Sequence, residues 1–405
     1  MKRVYCFGLL IACLFCCQLT LAQRKPIIFN HGKRVVIIMM DGFGMSYFNT
    51  APMPYLKSMI TNGGFFKQVN AMMPTVTNAN NTSIATGTFP EVNGISGNYY
   101  LNEKGEGEYL EDKKLVLAPT IFQKLKGYGI KSALISSKKK STTLLPAGAD
   151  IVLSPETADS TWIARIGKPA PIYSAEVNYW TMQAGIYLLE NHPDIACLYL
   201  HTTDYPMHTW APSDSSSIKH LRTIDSYLKK IHEVAPDATI LITADHDVNH
   251  KSRCVDIEKA LLLQNVKVKA ALSAEKDKYL KHHRGFGGAS YIYLNNTADA
   301  TNVKEALSKI KGVESVYTKA EAAKQYPLPA NRIGDLVAFG DSTTVFGDLE
   351  GHAEEELPAT YRSHGSVYEI KVPVIIINPA GKLPGESYFN YNKDLAVWLL
   401  DKKYW

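Results

Sequence analysis

Four short apolar runs mark the first 250 residues, and each gives way abruptly to polar, chemically capable side chains. Arg34–Met40 (RVVIIMM) is a continuous β-branched and apolar run, the pattern of a strand buried on both faces, and it ends in Asp41-Gly42-Phe43-Gly44. Ser132–Ile135 precedes Ser136-Ser137-Lys138-Lys139-Lys140, Ile195–Leu200 precedes His201-Thr202-Thr203-Asp204, and Thr239–Thr243 precedes Ala244-Asp245-His246. Helical patterns separate them: Pro119–Lys126 with proline at its start and Gly127 at its stop, and Ala175–Glu190 after a Ser174 cap. A third runs over Ser216–Val234, with Ile218, Leu221, Ile224, Leu228 and Ile231 at three-to-four spacing. Strands alternating with helices predict an α/β fold with a doubly wound, mostly parallel sheet. Ligands bind such sheets outside the carboxyl ends of the strands, where these polar residues fall.

The pattern changes after residue 250. Val255–Leu263 reads as helix, Val266–Leu272 and Gly288–Leu294 as strands, Asn302–Ile310 as helix, and Val313–Thr318 and Gly334–Phe339 as strands. Residues 251–349 are therefore expected to form an inserted α+β cap. The catalytic core would comprise residues 23–250 and 350–405, resuming through Tyr361-Arg362-Ser363-His364-Gly365 and the buried strand Val372–Ile377, with Asn392–Leu400 as a closing helix.

Composition alters this picture mainly at the amino end. Lys2 and Arg3 precede the apolar run Val4–Cys17, and Thr20-Leu21-Ala22 before Gln23 has cleavage-site spacing, so residues 1–22 read as a signal peptide and the protein as periplasmic or secreted. The run is too short for a stable membrane span. Leu10-Ile11-Ala12-Cys13 offers a lipoprotein site, ranked second because the apolar run continues through Leu14 and Phe15. Net charge is +5, of which Lys2 and Arg3 belong to the signal. So small an excess gives no ground for a nucleic acid polymer as partner. Beyond the signal only Cys197 and Cys254 remain; their pairing is left open, as is oligomeric state.

Asp41, Asp204, His208, Asp245, His246 and His364 supply three carboxylates and three imidazoles, the ligand types of zinc sites and enough for two metals. Taken singly, each reads as a cap, a turn or a satisfied polar residue. Two zinc ions about 3.5 to 4 Å apart suit an in-line displacement, and iron or manganese fills similar N/O ligands. Thr77, in Met73–Gly87 (MPTVTNANNTSIATG), opens a short helical segment. A threonine hydroxyl is a poor nucleophile until a metal or base takes its proton. The helix-start amides, with Asn78, Asn80 and Asn81, are candidates to receive anionic oxygens.

Asp41-Gly42, PTVTNANNTSIATG through Val92-Asn93-Gly94-Ile95-Ser96-Gly97-Asn98, Ser137–Lys140, HTTDYPMHTWAP from His201, Thr243-Ala244-Asp245-His246, Arg332–Val337 (RIGDLV) and Arg362–Gly365 (RSHG) occur in order along the chain. Together they resemble the alkaline phosphatase superfamily and, within it, are similar to the phosphonoacetate hydrolases. The resemblance implies a first metal on Asp204, His208 and His364 and a second on Asp41, Asp245, His246 and the Thr77 oxygen. It further implies that Lys138, Lys140 and Asn98, beside His208, hold a small anionic phosphorus substrate. The implied reaction cleaves the carbon–phosphorus bond of phosphonoacetate to acetate and phosphate through phosphothreonine. The alternative is a phosphodiesterase or nucleotide pyrophosphatase, with Tyr99, Tyr100 and Tyr205 as a base slot; a non-catalytic phosphonate or metal binder ranks below both. One departure stands out: the family's Gly-Met after the Asp-His pair is Asp247-Val248 here. The expectation is a left-handed turn at Asp247, with its carboxylate near the second metal.

Overall fold

The computed structural model describes Phe29, residues 33–278, 284–380 and 382–401, and Lys403. The expected signal peptide, with its lipoprotein cysteine, lies outside the described residues. The central sheet has seven strands: β1 (Val35–Met39), β2 (Phe65–Asn70), β3 (Lys131–Ser136), β4 (Ile151–Leu153), β5 (Ile195–His201), β6 (Thr239–Thr243) and β7 (Lys371–Ile377), in the order β2-β7-β6-β1-β5-β3-β4. β1 pairs in parallel with both β5 and β6, and β3 with both β4 and β5. Every residue of β1 and β6 is buried, which explains why those runs contain no polar alternation.

β7 alone runs against its neighbours, antiparallel to both β2 and β6. Its amino end therefore lies at the sheet edge where β1, β5 and β6 end, and the residues leading into it join those leaving the parallel strands. His364 reaches the common edge by this reversal.

Glu176–Asn191 packs against Ser215–Val234 and over β5 and β3, while Pro54–Thr61 packs on Ser215–Val234 and β7. A second sheet, with strands ordered Ala270–Ser273, Ala289–Tyr293, Leu336–Gly340, Val313–Thr318, is wholly antiparallel. One core joins Ile292 and Leu336 to Val303 and Leu307 of the Ala300–Ser308 helix. A separate one packs Leu272, Ala289, Tyr291 and Phe339 against Met73 and Val76, so this sheet buttresses the approach to Thr77.

Several boundaries differ from those expected. Pro119 precedes its helix, which spans Ile121–Gly127; Thr120 caps it through a reciprocal bond set with Gln123. Val255 belongs to a short strand, Arg253–Val255, and the helix begins at Ile257 because Asp256 accepts from the Lys259 amide. Glu176–Asn191 starts one residue later than expected, with the Ser174 hydroxyl accepting from the Val177 amide. Cys197, in β5, and Cys254, in Arg253–Val255, are both free thiols and buried, so they form no disulfide. Among the described residues no helix is long and apolar enough to cross a membrane.

His220 on the Ser215–Val234 helix is 2% exposed, its Nδ1 3.0 Å from the Tyr179 hydroxyl and its ring stacked on Tyr179. Burial lowers its pKa from 6.5 to about 3. The unfolded chain thus binds a proton between those values that the folded chain refuses; stability is full above pH 6.5 and falls as pH drops toward 3, by roughly 5 kcal/mol from this group. His220→Gln should therefore lose less stability than wild type between pH 7 and about 4.5, measured as urea unfolding midpoints; parallel losses would refute the assignment.

Candidate active site

The site is assembled where β1, β5, β6 and β3 end and where β7 begins. Asp41 follows β1 by two residues, Asp204 follows β5, Asp245 and His246 follow β6, and Lys138 follows β3. Gly42 turns the chain at φ +72°, and its amide donates to Asp245 Oδ1 at 3.0 Å. A Cβ there would meet Asp204 Cβ at 3.0 Å and Met207 Cβ at 3.2 Å, so both the conformation and the space call for glycine. On the opposite side Thr75 clasps the His364 loop: its hydroxyl donates to the Ser366 carbonyl and accepts from the Gly365 amide, each at 2.9 Å.

All six expected ligands converge and all are buried. Asp41, Asp245 and His246 bring one ligand atom each within 4.8 Å of one another, as do Asp204, His246 and His364. His246 Nε2 lies 3.3 Å from Asp245 Oδ2 and 3.6 Å from Asp41 Oδ1. His208 Nε2 is 2.8 Å from Asp204 Oδ2, and His364 Nε2 is 3.7 Å from the same oxygen. Thr77 begins the Thr77–Thr86 helix and places Oγ1 3.3 Å from His246 Nε2.

The donor set fits a cation. Each imidazole donates Nδ1–H to a carbonyl: His208 to Arg362 at 2.7 Å, His246 to Asp247 at 3.0 Å and His364 to Thr75 at 2.7 Å. That tautomer turns the Nε2 lone pairs toward the carboxylates, the orientation by which a backbone carbonyl fixes a metal-binding histidine. Asp41 Oδ1 and Asp245 Oδ2 are buried without a hydrogen-bond partner among the described residues. Burial holds His246 and His364 below the ordinary histidine range, keeping them neutral. Burial, then the neighbouring Asp41 charge, drives the Asp245 carboxyl up. Burial also raises Asp41 and Asp204, but for Asp41 the Lys138 ammonium and His201, and for Asp204 Lys138 and His208, outweigh it and hold both low.

Lys138 Nζ bridges these carboxylates, 2.7 Å from Asp41 Oδ2 and 2.8 Å from Asp204 Oδ1. Lys140 Nζ donates to Asn98 Oδ1 at 3.1 Å and pairs with Asp277. Thr77, Lys138, Lys140, Tyr173, Glu275 and Asp277 all face one cavity of about 410 Å³.

Three expectations are corrected. Asn78, Asn80 and Asn81 are spent on the fold: Asn78 donates to the Leu110 carbonyl, Asn80 brackets Met72 through its amide and carbonyl, and Asn81 accepts from the Tyr199 hydroxyl and contacts His201. The Asp247 carboxylate takes the Ser46 amide at 2.8 Å, the Ser46 hydroxyl at 2.6 Å and its neighbour Val248's amide, and Asp247 is not among the positive-φ residues. Gly44 makes room for it, since a Cβ there would fall 2.2 Å from Asp247 Cβ. Tyr99 and Tyr100 form no slot; Tyr99 packs on Tyr109, and Tyr100 donates to Glu108. The aromatic ring at the cavity belongs to Tyr173, with Tyr205 behind it at 6.2 Å.

His201 is a further residue of the site. Fully buried, it places Nε2 3.2 Å from Asp41 Oδ2 while Nδ1 faces the Ser136 hydroxyl at 2.9 Å and the Asn81 amide at 3.2 Å, linking the Thr77–Thr86 helix to a candidate ligand.

The type I phosphodiesterase / nucleotide pyrophosphatase family profile matches residues 35–367, and the chain belongs to that family. Its fold is that of the alkaline phosphatase superfamily. Phosphonoacetate hydrolase from Sinorhizobium meliloti 1021, solved in complex with phosphonoacetate and with phosphonoformate, is similar at 29% identity and TM-score 0.82, over 91% of this chain and 95% of that one. Murine ectonucleotide pyrophosphatase/phosphodiesterase 5 shares the fold, at 16% identity and TM-score 0.64 over 91% and 94%. Among sequences, bis(5'-adenosyl)-triphosphatase enpp4 of Mus musculus is 22% identical over 58% of this chain and 52% of its own length, so this chain spans about half of that relative.

Stripping divalent metal with a chelator should lower the thermal midpoint by several degrees, restored on adding metal back, because a cation bound only by the folded state stabilises it by mass action. A midpoint indifferent to chelator and metal would overturn the metal reading. His201→Gln should weaken metal binding about 10- to 100-fold by loosening Asp41, as outer partners of metal ligands do, checked by competition with a chromophoric chelator.

Proposed function

We propose that the protein is a two-metal hydrolase that cleaves the carbon–phosphorus bond of phosphonoacetate, with Thr77 as nucleophile. The observation that carries this reading is the placement of Thr77 Oγ1 at the cavity, beside six buried carboxylate and imidazole side chains, with Lys138 and Lys140 lining the same cavity. Zinc is the metal proposed, with iron or manganese able to occupy the same ligands. Asp41, Asp245, His246 and the Thr77 oxygen would hold one ion, and Asp204, His208 and His364 the other. Export of the mature protein is part of the proposal and rests on the amino-terminal pattern.

Two bound divalent cations would acidify the Thr77 hydroxyl and offset the charge of the phosphonate oxygens. The protein's own groups do the rest. The first-turn amides of the Thr77–Thr86 helix, next to the nucleophile, favour the phosphoryl oxygens. Lys138, Lys140 and Asn98 orient the substrate's carboxylate, so that the P–C bond lies opposite the attacking oxygen. Thr77 Oγ1 forms a bond to phosphorus as the P–C bond breaks. Its electron pair passes to the methylene carbon, delocalises into the carboxylate as an enolate and takes up a proton to give acetate. Water then attacks phosphothreonine, releasing phosphate and restoring the hydroxyl.

Support for phosphonate over diester comes from the cavity wall, which is lined by Lys138, Lys139, Lys140 and Lys278 and by one aromatic ring, Tyr173. Support for a diester comes from family membership and from Tyr173 as a stacking surface.

Metal-loaded protein should release acetate and phosphate from phosphonoacetate in equal amounts while leaving a bis(nitrophenyl) phosphate largely uncleaved; nitrophenol release alone would sink the assignment. Thr77→Ala should lower kcat by at least about 10³-fold even at metal concentrations that saturate the three remaining ligands of that ion, read by phosphate release with metal content measured in parallel.

A further inference from the structure

The cavity that receives the substrate is not a bare positive well. Lys138, Lys139, Lys140 and Lys278 contribute four ammonium groups to its surround, against five carboxylates from Glu111, Glu156, Asp204, Glu275 and Asp277. The cations are largely committed: Lys138 to Asp41 and Asp204, and Lys278 to Glu111 at 3.1 Å. Lys140, on the short Lys139–Leu144 helix after β3, pairs with Asp277, which follows Ala270–Ser273 of the second sheet. The pair is sheltered, the Lys140 side chain 13% and the Asp277 side chain 2% exposed, and Asn98 holds Lys140 from the other side.

We propose that Asp277 is a specificity-determining residue, an internal carboxylate that occupies Lys140 and that a substrate's carboxylate must replace in order to bind. The proposal deepens the reading above and rests on it, since Lys140 is taken there as the carboxylate's partner. The exchange is carboxylate for carboxylate, so a substrate whose distal group is neutral gains nothing from it and one whose group is anionic completes it. Binding is weakened by the fraction of molecules in which Lys140 is already taken, as in any equilibrium where only one state is competent.

Asp277→Asn keeps the size and removes the charge. It should lower KM for phosphonoacetate, and the inhibition constant of phosphonoformate, about five- to tenfold, leaving kcat within twofold and the inhibition constant of bis(nitrophenyl) phosphate unchanged. Asp277→Glu, which retains the charge, should stay within twofold of wild type, and in a Lys140→Gln background the Asp277→Asn effect should vanish. A higher KM for phosphonoacetate in Asp277→Asn would show that Asp277 only positions Lys140, and an equal shift for the diester would show a general structural change; either overturns the proposal. Should Asp277→Asn not fold, Asp277→Ser is measured in its place by the same criteria. If the wild type cleaves the diester alone, the proposed function fails by itself. The role of Asp277 is then read from inhibition of diester cleavage by phosphonoacetate, where tighter inhibition in Asp277→Asn upholds it and unchanged inhibition overturns it.

Discussion

Three carboxylates brought into one dry site set the terms for everything around them. Asp41, Asp204 and Asp245 are each at most 3% exposed, and their mutual repulsion in a low-dielectric interior costs far more than any single hydrogen bond returns. Positive charge has to be close by, and the protein supplies part of it through Lys138, which donates to two of the three. Among the described residues no donor meets Asp41 Oδ1 or Asp245 Oδ2, and the imidazoles of His208, His246 and His364 have already given their Nδ1 protons to carbonyls. The same charge pattern that is costly without cations is the one that selects them.

The architecture serves that constraint by bringing distant segments to one edge. Parallel strands β1, β5 and β6 deliver the carboxylates at their carboxyl ends, and the antiparallel β7 brings in His364. Behind the ligands a buried Lys251–Glu369 pair, 2.8 Å and fully enclosed, anchors the loop that carries His364. Glu369 also accepts from the Ser366 amide, and its carbonyl receives the Asp247 amide, so the His246 and His364 segments share one anchor. A partner of such a pair left alone would be an uncompensated buried charge, which makes the anchor stiff.

Most of this edge was legible in the sequence because its signals are local. A strand buried on both faces has to be continuously apolar, and its end has to be polar, so Val35–Met39 followed by Asp41 and Thr239–Thr243 followed by Asp245-His246 announce themselves. Phe65–Asn70 did not, since FFKQVN mixes apolar and polar residues on an edge strand whose burial is partial. The asparagines after Thr77 show the limit of reading residue type as role. An amide in an active-site segment suits an anion, yet Asn80 and Asn81 satisfy backbone and hydroxyl groups that would otherwise be buried unpaired. Asp247 likewise carries a charge suited to a metal, but Ser46, two hundred residues away in sequence, had already claimed it. Asp277, Tyr173 and His201 were out of reach for the same reason: each acquires its place only through tertiary contacts, and no spacing encodes them.

This division between local and tertiary signals bears on what distinguishes one activity from another on this scaffold. The three carboxylates and His246 follow strand ends and Thr77 opens a helix beside them, and a phosphonate and a phosphodiester would both present the same kind of phosphorus to this cluster. The groups proposed to meet the remainder of the substrate come instead from the short Lys139–Leu144 helix after β3 and from the segment after Ala270–Ser273, which meet at the cavity through Lys140 and Asp277. On the proposed reading, reactivity at phosphorus therefore belongs to the edge where the parallel strands end, and the choice of leaving group to the Lys140–Asp277 contact. A change of substrate would on that reading need no change at the candidate ligands; replacing or re-pairing Asp277, in the segment after Ala270–Ser273, would alter which distal group the cavity accepts, because it would alter whether an ammonium is available there.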